Sequence, residues 1–233
     1  TDSACNLASI NLLKFRSGET KFDTEGFRQA VKILITAQDI LIDRAGYPTD
    51  KVRENSVRFR PLGLGYANLG ALLMSHGLPY DSEPGRQLAA AITSIMSGIA
   101  YEQSALLAKA KGPYTHWEKN HQAHLQVVEM HREKAREINR ELVGSDLYEQ
   151  ALGVWDEALK LGRQYGYRNA QVTVLAPTGT IGFMMDCDTT GIEPELALVK
   201  YKELVGGGTL KIVNSGVVQA LTSLGYDEKT ARE

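Results

Sequence analysis

Apolar residues recur along most of this chain at the three- and four-residue spacing of an α-helix, and only in short stretches at the two-residue spacing of a strand. Residues 7–15 alternate and predict a strand. Asp23 can cap a helix that carries Glu25 in its first turn. Behind it Phe27, Ala30, Val31, Leu34, Ile35, Gln38 and Leu41 keep helical spacing up to Gly46 and Pro48. A charged stretch, residues 51–60, leads into Pro61-Leu62-Gly63-Leu64-Gly65, where a second helix is expected to begin and run to about His76-Gly77. Ser82, with Pro84 at the first helical position, opens a long third helix that ends near Lys111-Gly112-Pro113. Two further helices are expected over about 118–140 and 146–165. Residues 171–199 then read as a strand, a tight loop, a short helical turn and a second strand. A connection over 201–209 with three consecutive glycines leads to residues 210–213, and a last helix covers about 215–224. The fold class is mixed α/β, with long helices inserted between strands.

Composition narrows this only a little. The 233 residues are 43% hydrophobic, enough for one large domain or two small ones. No low-complexity linker or internal repeat marks a boundary, so residues 1–233 are read as one domain. A net charge of −2, with Lys and Arg spread along the chain, offers no footprint for nucleic acid. No apolar run is long enough to span a bilayer, and there is no signal peptide. Two cysteines cannot build a disulfide scaffold, so a reducing cytosol is the expected compartment. The chain opens on Thr1-Asp2-Ser3 without an initiator Met and stops at 229–233 in a running helical pattern. It is therefore expected to be a piece of a longer protein.

The most informative stretch is QVTVLAPTGTIGFMMDCDTTGIEPELALV, residues 171–199. Alternating β-branched residues break at Ala176-Pro177, and Thr178, Gly179 and Thr180 follow before the apolar turn 181–185. Such a loop exposes successive backbone N–H groups at a helix start, where aligned peptide dipoles favour an anion. Threonine hydroxyls add donors, and Gly179 lets an anionic group approach the backbone. The chemistry suggested is diphosphate or triphosphate binding without a lysine; the Walker spacing is missing. An ordinary strand-to-helix connection has the same wording.

Other residues invite chemistry less strongly. Cys5, between small and apolar residues, is by itself ordinarily a buried small hydrophobe, and Asn6 and Asn11 are ordinary turn or edge residues. Cys187 lies between Asp186 and Asp188, which raise a thiol pKa and argue for a structural role. Glu193-Pro194 places a carboxylate just before a strand, as an acceptor or a turn residue. His116, His121, His124 and His131 crowd one helical region, and His121 and His124 share a face. The Lys119, Glu129, Arg132, Glu133 and Lys134 around them mark a solvated helix rather than a metal site. The run from Gly63 to Gly70 departs from the dinucleotide fingerprint and follows Arg58-Phe59-Arg60-Pro61 instead of an apolar strand; glycine-rich helix packing explains it better.

Four ordered motifs carry a family resemblance: Ala4-Cys5-Asn6-Leu7-Ala8-Ser9-Ile10-Asn11-Leu12, Arg60-Pro61-Leu62-Gly63-Leu64-Gly65, Ala176-Pro177-Thr178-Gly179-Thr180-Ile181 and Gly191-Ile192-Glu193-Pro194. Over essentially its whole length the chain resembles the large catalytic chain of ribonucleotide reductases. The Met185-Asp186-Cys187-Asp188-Thr189-Thr190 continuation is most similar to the adenosylcobalamin-dependent class II enzymes. The resemblance implies a ten-stranded α/β barrel of two half-barrels threaded by a finger loop, of which this chain is the second half. It implies that Pro177, Thr178, Gly179, Thr180 and Ile181 hold the substrate's phosphates, and that Cys5 is one of two cysteines oxidised to a disulfide as the ribose 2′-carbon is reduced. It further implies adenosylcobalamin as cofactor, a ribonucleoside di- or triphosphate as substrate, a thioredoxin-like or small dithiol reductant, and a homodimer in the full-length protein.

The departures also carry expectations. The radical cysteine belongs to the finger loop, and no Asn-x-Cys-x-Glu occurs here. The partner of Cys5, the effector site and the tail cysteines are absent too, so the polypeptide alone is expected to have no reductase activity. Two alternatives stay open: a class I large subunit, and a non-catalytic nucleotide-binding or scaffold remnant.

Overall fold

The computed structural model describes residues 2–18, 21–214 and 216–232. Thr1, Glu233 and Ser215, the expected first residue of the last helix, lie outside the described residues. In chain order the elements are β1 (Asn6–Asn11), a 3-10 turn (Leu12–Phe15), β2 (Arg16–Ser17), β3 (Lys21–Phe22), α1 (Thr24–Arg44), α2 (Asp50–Phe59), β4 (Leu62–Ala67) and α3 (Leu69–Ser75). They continue with α4 (Glu83–Lys111), α5 (Trp117–Ala135), α6 (Arg140–Val143), α7 (Ser145–Tyr165), α8 (Gly179–Met184), β5 (Val199–Glu203), β6 (Thr209–Val213), α9 (Val217–Ser223) and α10 (Glu228–Arg232). The fold class is mixed α/β, as expected.

Two compact units emerge, each made of discontinuous segments: Thr1–Ile10, Thr24–Gly65 and Arg86–Ala176 in the first, and Asn11–Asp23, Tyr66–Gly85 and Pro177–Glu233 in the second. No linker in sequence separates them, because the chain passes between them several times.

In the first unit α1, most of α4, and α7 bury apolar stripes. Phe27, Val31, Ile35 and Ile42 of α1 and Ile92, Ile95, Met96 and Ile99 of α4 are nearly inaccessible, with Val154, Trp155 and Leu159 of α7. The α1 stripe follows the expected one through Phe27, Val31, Ile35 and Gln38 and then departs from it: Asp39 and Ile42 are buried and Leu41 is exposed. Asp39 goes inside because Arg60 meets it there, which a hydrophobic pattern cannot show.

The stretch from Pro61 is a strand, not the start of a helix. All six residues of β4 are buried, and β1 pairs with β4. Leu62 N–H donates to the Gln171 carbonyl and Leu64 N–H to that of Val172, while Val174 N–H donates to Leu64, a parallel pairing of residues 171–174 with β4. Gly63 and Gly65 are there for close approach. A Cβ on Gly63 would meet Leu7 and Val174 side chains, and one on Gly65 would overlap the Val174 carbonyl. The charged stretch before β4 is itself helical, with Thr49 Oγ1 accepting from Val52 N–H at 3.3 Å as a cap.

The helix predicted from Ser82 and Pro84 forms, with Ser82 Oγ accepting from Gly85 N–H. In the second unit the expected strand over 7–15 stops at Asn11 and turns into the 3-10 segment, Asn11 Oδ1 accepting from Leu13 N–H. The glycine-rich connection is the tip of an antiparallel hairpin. β5 pairs with β6 from Val199↔Val213 to Glu203↔Thr209, so strand structure takes up residues 201–203 and 209 of the expected 201–209 connection.

The histidine-bearing helix is less solvated than its charges suggested. His124 is buried and stacks on Tyr167 at 4.8 Å between ring centres, with Tyr101, Tyr114 and Trp117 around it. Burial lowers its pKa to about 4; in the second unit burial, and then Arg16, lowers that of His76 to about 4. A depressed histidine pKa stabilises the fold above the unfolded value near 6.5, and that contribution is lost as pH falls towards 4. Stability should therefore drop between those pH values by on the order of 3 kcal/mol per histidine. Urea midpoints for the parent and His124→Phe check this: the variant should show the flatter pH dependence.

Candidate functional site

In the second unit, α8 begins where the strand-loop-helix reading placed a helical turn. Thr178 stands ahead of it with φ 52° and ψ 45°, a left-handed backbone that β-branched residues rarely adopt, and its side chain makes no capping bond to the helix. Thr178 is buried, whereas Pro177, Gly179, Thr180 and Ile181 are exposed. The first-turn amides of any helix have no acceptor within it. Nothing would meet a Cβ built on Gly179, so the space above this turn is open. The five expected phosphate-loop residues thus form one contiguous, mostly exposed turn that can donate several N–H groups to an anion.

What holds α8 is a buried polar cluster. Asn11 Nδ2 donates to the carbonyl of Met185, the residue that closes α8, at 2.8 Å. Asn68 Nδ2 donates to Asn11 Oδ1 at 3.0 Å, and Asn68 Oδ1 accepts from Thr189 N–H at 3.0 Å. Asn68 is fully buried. Sequence reading treated Asn11 as an edge residue and passed over Asn68 and Thr189, because their roles exist only once distant segments meet. The available signal was an asparagine immediately ahead of the apolar run 69–73, a position that favours both helix starts and left-handed backbone.

Beside the C-terminal half of α8 lies a cavity of about 520 Å³, lined in part by Phe183, Cys187, Thr190, Glu195, Lys200 and Lys202. Lys200 Nζ bonds the Asp188 carbonyl and, at 2.8 Å, Glu195 Oε1, while Asn214 donates to Glu195 Oε2. The Lys202 ammonium sits over the Phe183 ring, 3.8 Å from its centre. Thr190 Oγ1 donates to Glu193 Oε2 at 2.9 Å, so Glu193 is an acceptor for its own loop.

Cys5 belongs to the first unit and is exposed rather than buried. It immediately precedes β1, its thiol lies 3.5 Å from the Asn6 carbonyl, and partial burial raises its pKa. Cys187, half-buried, has its pKa pushed up to about 11 by burial first and then by Asp188 and Asp186. The direction matches the flanking carboxylates; the larger cause is burial. At pH 8 its thiolate fraction is on the order of one in a thousand. Iodoacetamide should accordingly modify Cys5 well before Cys187 in the folded protein, as peptide mass analysis of a time course would show; equal rates would contradict it. Among the described residues no group of three or more His, Cys, Asp or Glu side chains is placed to hold a metal ion, and no helix is long and apolar enough to cross a membrane.

Comparison with known proteins decides the family. Residues 1–233 match the family described as "Ribonucleotide reductase, barrel domain". The chain belongs to the ribonucleotide reductase barrel-domain family. A vitamin B12-dependent ribonucleotide reductase of Rhodopirellula baltica is 52% identical over 232 residues, covering 100% of this chain and 22% of that protein. One of Agrobacterium fabrum is 46% identical over 248 residues, covering 100% of this chain and 20% of the relative. The ribonucleoside-diphosphate reductase large chain of Encephalitozoon cuniculi is 32% identical over 226 residues, covering 96% of this chain and 27% of the relative. The ribonucleotide reductase barrel segment described here thus spans only about a fifth to a quarter of those proteins.

Proposed function

We propose that this chain is the substrate-holding second half of the catalytic barrel of an adenosylcobalamin-dependent ribonucleotide reductase. It would act within a longer polypeptide that converts ribonucleoside di- or triphosphates to 2′-deoxyribonucleotides. The observation that carries the reading is the first turn of α8: exposed residues at Gly179, Thr180 and Ile181, open space above Gly179 and no acidic side chain in that turn. That chemistry suits the phosphates of the substrate, with Pro177, Thr178, Gly179, Thr180 and Ile181 as their cradle. Identities near 50% to B12-dependent relatives, against 32% to the large chain of the other kind, favour the cobalamin class over class I. A non-catalytic remnant is disfavoured by retention of Cys5 and of the whole loop.

Cys5 then supplies one of two thiols. As the ribose C2′–O bond breaks and a C2′–H bond forms, two S–H groups become one S–S bond and water leaves. A thioredoxin-like or small dithiol donor restores the pair by exchange. Adenosylcobalamin, when bound, supplies the radical that starts the reaction. The radical cysteine has no counterpart in this sequence, since neither Cys5 nor Cys187 lies in an Asn-x-Cys-x-Glu setting. The proposed setting is a cytoplasmic homodimer.

The test is deoxyribonucleotide formation by the full-length protein with adenosylcobalamin and a dithiol. Cobalamin-dependent product is expected from the full-length protein and none from residues 1–233 alone. Cobalamin-independent turnover would favour class I, and no turnover by the full-length protein would favour the remnant.

A further inference from the structure

α8 has six residues, too few for a helix to hold its own place in water. Its position is therefore set by whatever grips its ends, and the second unit provides a specific grip at the C-terminal end. Asn68 is fully buried, with φ 71° and ψ 25°, and starts α3 by accepting Leu72 N–H on its carbonyl at 3.0 Å. Its side chain faces two ways. Oδ1 takes Thr189 N–H at 3.0 Å and Thr189 Oγ1 at 3.4 Å, fixing the loop behind α8, and Thr189 Oγ1 in turn accepts Ala71 N–H at 3.3 Å. Nδ2 gives its hydrogen to Asn11 Oδ1 at 3.0 Å, which leaves Asn11 Nδ2 aimed at the Met185 carbonyl at 2.8 Å. Asn11 Oδ1 also takes Leu13 N–H at 3.1 Å, so its amide can face only one way. The cluster is directional from α3 to the end of α8.

A buried amide chain of this kind earns little net stability, because each bond replaces one made to water. What it does fix is orientation: an apolar contact lets a short helix slide or rotate, whereas a satisfied amide chain does not. We infer that Asn68 and Asn11 are positioning residues for the nucleotide phosphates: by clasping Met185 and Thr189 they hold the amides of Gly179, Thr180 and Ile181 where the phosphate oxygens need them. This rests on the phosphate reading proposed above.

Three variants of the full-length reductase test it, with ADP and ATP as substrates and inorganic pyrophosphate as inhibitor. Asn68→Gly keeps the left-handed backbone and deletes the clasp. Asn11→Asp keeps the shape and the bond from Asn68 but turns the group facing Met185 into an acceptor. Gly179→Glu sets a carboxylate where the phosphates would sit. For both clasp variants KM for the better substrate and the inhibition constant of pyrophosphate should rise together by about tenfold, with kcat changed by less than about threefold. Gly179→Glu should raise both constants further. If Gly179→Glu raises KM while both clasp variants keep it, or lose kcat and thermal stability at unchanged KM, the positioning role is wrong and the cluster is structural only. If Gly179→Glu leaves KM and pyrophosphate inhibition unchanged, the phosphate reading falls and the inference with it. Should Asn68→Gly fail to fold, Asn11→Asp, which disturbs one bond, decides alone.

Discussion

Serine in place of Cys5 is expected to stop sustained deoxyribonucleotide formation by the full-length reductase, lowering kcat on the order of a thousandfold, about 4 kcal/mol on the barrier. The substitution is nearly isosteric and the side chain is exposed, so the fold has little to lose. Under the proposed role chemistry is what goes: a hydroxyl cannot close a disulfide, and the two electrons that would replace the 2′-oxygen have no donor. The raised pKa suits the proposed role, since a thiol that stays protonated at neutral pH brings its hydrogen along with its electrons. Cys187→Ser is the contrast. Its pKa of about 11 and its place between two aspartates make it a poor thiolate, and turnover should stay within about twofold of the parent. Product measured over many turnovers with dithiothreitol checks both. A Cys5→Ser enzyme that cycles at the parent rate would remove Cys5 from the reaction.

The sequence made contiguous features legible and left paired ones hidden. The helix α1 followed from apolar spacing, α4 from its Ser82-Pro84 start and Gly112-Pro113 stop, and the α8 turn from Pro177, Thr178 and Gly179, because in each case one short run of residues contains everything needed to see it. β4 did not follow. Its alternating glycines exist to admit the Val174 backbone and the Leu7 side chain, which are remote in sequence, so the same letters read as a glycine-rich helix start. α2 was hidden by charge: of its ten residues only Ser56 is buried, leaving no apolar stripe to count. The grip on α8 was illegible for the deeper reason that Asn11, Asn68, Met185 and Thr189 are far apart along the chain. An asparagine's two hydrogen-bonding ends carry no mark of which segments they will join. Cys5 showed the converse error, since small apolar neighbours suggested burial and the fold leaves it exposed.

The same blindness applies to the strongest electrostatic feature of the first unit, and it supports a second large effect. Arg60→Met is expected to destabilise the fold by roughly 3–5 kcal/mol, a large share of the stability of an ordinary domain. Arg60 is buried with φ 50°. Its Nε donates to Asp39 Oδ1 at 2.8 Å and its Nη2 to the Asp39 carbonyl at 2.8 Å, while the fork grips Asp43 at 2.7 and 2.9 Å. Asn169 Nδ2 donates to the same Asp39 oxygen at 2.8 Å and to the Arg60 carbonyl at 3.1 Å, and Ser104 donates to Asn169. Burial opposes the guanidinium charge, yet the bonds from Asp43 and Asp39 more than offset it, and its pKa stands above the ordinary value. Removing Arg60 takes the nearest cation from the Asp39 carboxylate in a site only 6% exposed, leaving it the Asn169 amide and the Arg168 guanidinium at 3.5 Å. Arg60→Lys should recover little, because one ammonium cannot replace a planar fork that serves two carboxylates. Asp43 is half-exposed and its Arg60 bond lowers its pKa, so its share is present above about pH 4 and is lost as pH falls from there through the lowered value. The double variant Arg60→Met with Asp39→Leu separates the causes. If the penalty comes from a stranded charge, removing that charge as well should restore part of the urea midpoint. If the double variant is as unstable as the sum of the two single ones, the cost lies in lost packing, and the ion network is not what holds α1 to the chain ahead of β4.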